Sequence, residues 1–187
     1  MSTGKNNTKS KLEPFGAVTV FKNNSYEDAR GTFTKIYENM SMQGLWGRRI
    51  EQINFSHSRK KGTVRGLHFQ RPPFVETKMV SCVSGSVWDV VVDVRGGSET
   101  FLQWHSEILS DENKKSIVIP EGFAHGFQAL TDDVKLIYLH DKQYSSVSED
   151  GLNPLDPKLK LPWPMEISVI SGRDAGFALI DNSFSGV

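Results

Sequence analysis

Val87-Trp88-Asp89-Val90-Val91-Val92-Asp93-Val94-Arg95 alternates as a strand does. Successive strand side chains point to opposite faces, so Asp89, Asp93 and Arg95 share one side with valines, and Trp88, Val90, Val92 and Val94 share the other. The purely apolar side is expected to be packed core, and the mixed side to line a polar pocket. Similar apolar or alternating runs recur at 17–21, 52–56, 78–83, 116–119 and 135–140, separated by Gly, Pro, Asn and Asp. Helical spacing is scarce: residues 34–42 admit one or two turns, and the Pro-rich end of the chain admits another. Many strands, few short helices and no internal repeat predict an all-β fold, a closed or double-layered antiparallel structure such as a jelly roll or barrel.

Composition bounds the function. The 187 residues carry 22 basic and 22 acidic side chains, so no net charge draws the protein to nucleic acid or to an anionic membrane. An anionic ligand must be held by locally placed groups. The single cysteine, Cys82, excludes an internal disulfide framework and suggests a reducing compartment. No apolar run approaches the ~18 to 20 residues of a membrane span, and the N-terminus lacks the apolar core of a signal peptide. A cytoplasmic protein is expected. Residues 1–12, rich in Lys, Asn, Ser and Thr, read as a disordered arm. Residues 13–187 show no linker and read as one domain.

Chemistry concentrates in two segments. In Arg65-Gly66-Leu67-His68-Phe69-Gln70, with Lys78 ten residues after the histidine, an imidazole, a guanidinium, an amide and an amine gather in a short span. On a strand His68 and Gln70 share a face, as do Lys78, Val80 and Cys82, and Leu136, Tyr138 and His140. An amine or phenol inside a barrel is costly to bury without a partner. The second segment, Pro120-Glu121-Gly122-Phe123-Ala124-His125-Gly126-Phe127, places two glycines around a histidine, which permits a tight turn and a close backbone approach. Taken alone, each of these residues also has a structural reading: Asp174 as a turn residue, Tyr138 as a packing residue, Lys78 as an edge-strand lysine, His125 as a turn histidine bonded to a carbonyl.

The ordered set is more specific than its parts. RGLHFQ at 65–70, Lys78, GSVWDVVVDVRGGSETF at 85–101, LSDEN at 109–113, PEGFAHGF at 120–127, Tyr138 with Tyr144, and SGRD at 171–174 closely resemble the dTDP-4-dehydrorhamnose 3,5-epimerase family. The resemblance spans about residues 15–180. It implies a cupin-type jelly roll and a homodimer, with the sugar inside the barrel and the nucleotide partly held by the neighbouring subunit. It also implies no metal and no organic cofactor. The implied substrate is a dTDP-linked 4-keto-6-deoxy sugar, epimerised at C3 and C5.

The resemblance also distributes roles. His68 matches the base and suits it, because an imidazole titrates near working pH. Asp174 matches its carboxylate partner, Lys78 the cation beside the C4 oxygen, and Tyr138 the acid on the opposite face of the sugar. Tyr144 and His125 match sugar contacts, with Asp89 orienting His125. Arg65 and Arg30 match anion contacts, and a guanidinium suits forked contacts to phosphate. Phe33 falls in the segment that reaches the partner subunit's nucleotide, Arg173 stands beside Asp174, and Gln52, Asn54 and Ser56 alternate on one strand face where they can meet phosphate or sugar hydroxyls.

Two departures stand out. After Arg30-Gly31 the family commonly has two aromatics, one variable residue and a glutamate, whereas this chain has Thr32-Phe33-Thr34-Lys35. The nucleotide end can therefore be read differently. Glu76 replaces a residue that is often neutral, close to Lys78. Two other classes remain to be weighed. Metal catalysis through His68, His125 and His140 lacks the His-x-His pair of metal cupins, since Gln70 stands two residues after His68. A non-catalytic sugar-nucleotide binder has no need of both an acid and a base.

Overall fold

The computed structural model describes residues 15, 17–38 and 49–187. The expected arm over 1–12 lies outside the described residues. Among the described residues, twelve strands and one short helix follow in chain order: β1 Thr19–Lys22, β2 Asn24–Asp28, β3 Gly31–Lys35, β4 Gln52–Ser58, β5 Val64–Gln70, β6 Lys78–Ser84, β7 Ser86–Asp93, β8 Trp104–Ser110, β9 Lys115–Ile119, β10 Phe123–Ala129, β11 Val134–His140, β12 Glu149–Gly151, and α1 Gly172–Ala175. One antiparallel sheet has the order β1-β9-β6-β11-β4, the other β12-β5-β10-β7-β8, and β2 pairs only with β3 in a separate hairpin. This is the expected double-layered jelly roll. The helical turns considered over 34–42 do not form at Thr34 or Lys35, which belong to β3; residues 36–38 have no regular structure, and 39–42 lie outside the described residues.

The two faces of β7 are both covered, which corrects one expectation. Val87 and Val91 pack between the sheets with Val80, Ile117, Leu136 and Phe127. The purely apolar face, with Trp88, Val90, Val92 and Val94, packs on the outer side beneath Leu152, Leu159 and Ile180. The coil after β12 is thus a lid on the second sheet. On the mixed face only Asp89 serves the cavity. Asp93 instead ties a turn, accepting from Arg95 Nε at 2.9 Å and Nη2 at 2.7 Å, and from Ser98 Oγ and Thr100 Oγ1 at 2.6 Å. Burial alone raises its carboxyl, and these hydrogen bonds outweigh burial and hold it far below the carboxylate range.

The histidine of the second segment lies on a strand and not in a turn. Only Glu121 and Gly122 turn the chain, and β10 then runs through the middle of its sheet. Gly126 answers to the close approach of the paired strand β5 and not to a bend: a Cβ there would lie 2.7 Å from Arg65 O, and one on Gly66, at φ +114°, would lie 2.6 Å from Gly126 Cα. The β5–β10 register shifts between His125 and Phe127, a bulge that leaves His125 directly opposite His68. Among the described residues no helix is long and apolar enough to cross a membrane.

Candidate active site

A cavity of about 850 Å³ opens between the sheets. β5 and β10 supply His68 and His125 on one wall. β6, β11 and β4 supply Lys78, Tyr138, His140 and Asn54 on the other. Strand register sets the second wall: Tyr138 stands between Val80 and Asn54, and His140 between Lys78 and Gln52. The Tyr138 ring reaches to 6.3 Å from the His125 ring, so the phenol projects toward the opposite sheet.

Each of the three cavity histidines is bound to a different carboxylate. His68 Nε2 donates to Asp174 Oδ1 at 2.9 Å, and His125 Nε2 meets Asp89 Oδ2 at 2.8 Å. His140 Nδ1 donates to Glu76 Oε2 at 2.9 Å. Among the described residues no three His, Cys, Asp or Glu converge as a metal-ligand group.

The His68–Asp174 dyad is held from behind. Ser171 caps α1 by accepting from Asp174 N at 3.0 Å, and Gly66 N donates to Asp174 Oδ2 at 3.0 Å. Burial raises the Asp174 carboxyl, but the bonds from His68 and Gly66 outweigh it and keep the group below its ordinary range. An ionised carboxylate accepts only, so it fixes the His68 proton on Nε2 and leaves Nδ1 as a proton acceptor. Asp89 is fully buried, and its Oδ1 has no hydrogen-bond partner among the described residues, so His125 is the ligand that compensates its burial.

Tyr138 is acidic in type and kept protonated. Burial pushes its phenol well above the usual value, against the lowering effect of a 3.2 Å contact with Ser56 Oγ. Lys78 is buried, with Nζ 3.1 Å from Glu76 Oε1 and 3.4 Å from His68 O. Burial pushes the Glu76 carboxyl up, whereas Lys78 and His140 together hold it at about 2. Its folded value lies below the ordinary 4.5, so its contribution to stability is complete above that pH and is lost as pH falls toward 2. The denaturant midpoint of the native protein is accordingly expected to fall more steeply across this window than that of Glu76→Gln; parallel pH profiles would contradict the assignment.

The remaining sequence-selected residues divide into three groups. Gln52, Asn54, Arg65, Tyr144 and Arg173 line the cavity. Arg65 is steadied by Ser58 Oγ at 3.1 Å and His57 O at 3.2 Å. Asp89 stands behind His125. Arg30 and Phe33 are not brought to this cavity: both sit at the exposed β2–β3 hairpin, Arg30 bound to Asp28 at 2.6 Å and Phe33 69% exposed. Glu149 was missed by sequence reasoning. At the cavity mouth it accepts from Tyr144 Oη and Arg173 Nη2, both at 2.7 Å. Nothing in the Ser148-Glu149-Asp150 run marks it, because the contact joins β12 to α1.

Fold and cavity together define a cupin-type jelly-roll enzyme equipped to take and return protons. The family model described as dTDP-4-dehydrorhamnose 3,5-epimerase matches residues 14–182, and the chain belongs to that family. It is 38% identical to the dTDP-4-dehydrorhamnose 3,5-epimerase of Shigella flexneri over 84% of this chain and 87% of the relative. It is 37% identical to a dTDP-4-dehydrorhamnose 3-epimerase of Streptomyces niveus over 91% of this chain and 84% of that protein. The Bacillus anthracis 3,5-epimerase, solved with TDP and PPi bound, superposes with a TM-score of 0.86 at 35% identity, covering 90% of this chain and 97% of its own. The Legionella pneumophila dTDP-6-deoxy-D-glucose-3,5-epimerase, solved with dTDP-4-keto-L-rhamnose, gives 0.85 at 38% identity and 90% coverage of both chains.

Proposed function

We propose that this protein epimerises a dTDP-linked 4-keto-6-deoxy sugar, converting dTDP-4-dehydro-6-deoxyglucose to dTDP-4-dehydrorhamnose. The observation that carries the proposal is a His68–Asp174 dyad and a protonated Tyr138 on opposed walls of one cavity, with the Lys78 ammonium beside them. The C4 carbonyl acidifies the hydrogens on C3 and C5. His68 Nδ1 takes one as a proton, and the electron pair left on carbon moves onto the C4 oxygen. Lys78 then faces the developing oxyanion; loss of one such donor typically costs ~3 to 4 kcal/mol. Tyr138 returns a proton to the opposite face of the carbon, which inverts it, and solvent reprotonates the phenolate while removing the proton from His68. His125, oriented by Asp89, and Tyr144 are assigned to the sugar. Arg65 and Arg173 are assigned to the diphosphate.

A homodimer fits the parts that this cavity leaves over. Phe33 and Tyr26 are exposed on the hairpin, and β4 is an edge strand with Ile53 and Phe55 64% and 62% exposed. Apolar side chains on an open sheet edge call for a covering partner. Arg30 and Phe33 are then placed to reach the nucleotide of the neighbouring subunit. A cytoplasmic location accords with a lone cysteine whose thiol burial pushes up to about 11.

The test is turnover of purified protein with dTDP-, UDP- and GDP-linked 4-keto-6-deoxy sugars, with products identified by NMR. Preference for the dTDP sugar and inversion at both carbons are expected; absence of turnover with all three would overturn the proposal. Inversion at C3 alone is the second reading, favoured by the similarity to the Streptomyces niveus 3-epimerase. Tyr138→Phe is expected to lower product formation about a hundredfold while solvent exchange at the substrate carbon persists. Equal losses of both would contradict the assignment of Tyr138 as the returning acid.

A further inference from the structure

Lys78 is fixed by a hydrogen-bond chain that runs in one direction. Its start is unambiguous: the backbone N–H of Tyr144 can only donate, and it meets Gln52 Oε1 at 2.8 Å. Gln52 must therefore present its NH₂ group to Asn54 Oδ1, 2.9 Å away. Asn54 in turn presents Nδ2 to His140 Nε2 at 3.4 Å. With Nε2 accepting, the His140 proton sits on Nδ1 and is donated to Glu76 Oε2 at 2.9 Å. The end is equally unambiguous, because an ionised carboxylate accepts only.

Both ends demand the same orientation of every link. Reversing any amide along the way sets two donors or two acceptors face to face. The chain thus pins one oxygen of Glu76 and leaves the other, Oε1, to Lys78 at 3.1 Å. Gln70 Nε2 adds a third donor at 3.3 Å from Oε2. An ammonium has three N–H bonds. Glu76 and the His68 carbonyl take two of them, which directs the third into the cavity.

We propose that Glu76 is a positioning residue for Lys78, aimed by the relay from Tyr144 through Gln52, Asn54 and His140. This rests on the reading of Lys78 as the group facing the C4 oxygen. A lysine stem has four rotatable bonds, so an ammonium held only by its charge would wander by more than the geometry of oxyanion stabilisation allows. Glu76 removes that freedom without blocking the third N–H. The relay also ties the cavity wall formed by β4 to the reactive amine on β6, two strands away.

The test is a double-mutant cycle with Glu76→Gln and Lys78→Met, in which kcat and KM are measured for the native protein, both single variants and the double variant. Glu76→Gln is near-isosteric and is expected to lower kcat about tenfold to a hundredfold while KM stays within about twofold. Lys78→Met is expected to lose about a hundredfold to a thousandfold. Because Glu76 acts through Lys78, adding Glu76→Gln to Lys78→Met is expected to change kcat by less than about twofold. The same fold-loss in both backgrounds would mark Glu76 as merely structural and overturn the inference. So would a native kcat for Glu76→Gln beside a crippled Lys78→Met. Full activity of Lys78→Met would overturn the reading of the site itself, and the inference with it. The cycle is run in parallel with Glu76→Asp, which keeps the charge but is too short to hold both partners, so that a folding defect in one variant leaves the other to decide.

Discussion

Turnover by His68→Ala is expected to fall by about a thousandfold, with the thermal midpoint little changed. The imidazole is half-buried, makes its one side-chain hydrogen bond to Asp174, and otherwise faces the cavity, so its removal takes away a proton acceptor more than a packing element. His140 cannot replace it, because both its ring nitrogens are spent in the relay between Asn54 and Glu76. Steady-state kinetics with the 4-keto sugar measure the effect. A loss below about tenfold would mean that another group removes the proton.

Asp174→Asn is expected to be at least as severe, about a thousandfold to ten-thousandfold, although it changes one atom. The backbone N–H of Gly66 points at Oδ2 and needs an acceptor there. The asparagine oxygen must take that place, which turns its NH₂ group toward His68 Nε2. Nε2 then has to accept, the proton moves to Nδ1, and the base is lost from the nitrogen that faces the substrate. Asp174 is held below its ordinary range, so its carboxylate stays ionised and accepts from His68 throughout the neutral range. Activity of the variant within tenfold of native, with the fold intact by circular dichroism, would show that the tautomer is not what Asp174 controls.

The strand pattern was legible where alternation reports one buried face and one chemical face. His68 with Gln70, Lys78 with Val80 and Cys82, and Tyr138 with His140 share faces as parity requires, because period 2 is a property of the backbone. β10 was not legible as a strand, since Gly122 and Gly126 look alike in sequence. One supplies a turn at φ +83°, the other lets the paired strand β5 approach within contact of the backbone, and only that pairing separates the two. The roles of Asp89 and Asp93 diverge for a similar reason. They alternate identically along β7, but one meets a histidine from β10 and the other a turn of its own chain. His140 enters the metal reading only as one of three histidines, and in the structure it has a carboxylate partner instead. That partner is Glu76, 64 residues away, which no local spacing encodes. Arg30 and Phe33 sit at the exposed β2–β3 hairpin, away from the cavity, and no feature of their local sequence separates the two locations.

The central claim, proton removal by His68 from a carbon beside a ketone, is tested most directly by NMR of the dTDP-linked 4-keto-6-deoxy sugar incubated with enzyme in deuterated water. Native protein is expected to introduce deuterium at C3 and C5, and His68→Ala to introduce none above the uncatalysed background. Undiminished deuterium incorporation by His68→Ala would contradict the account.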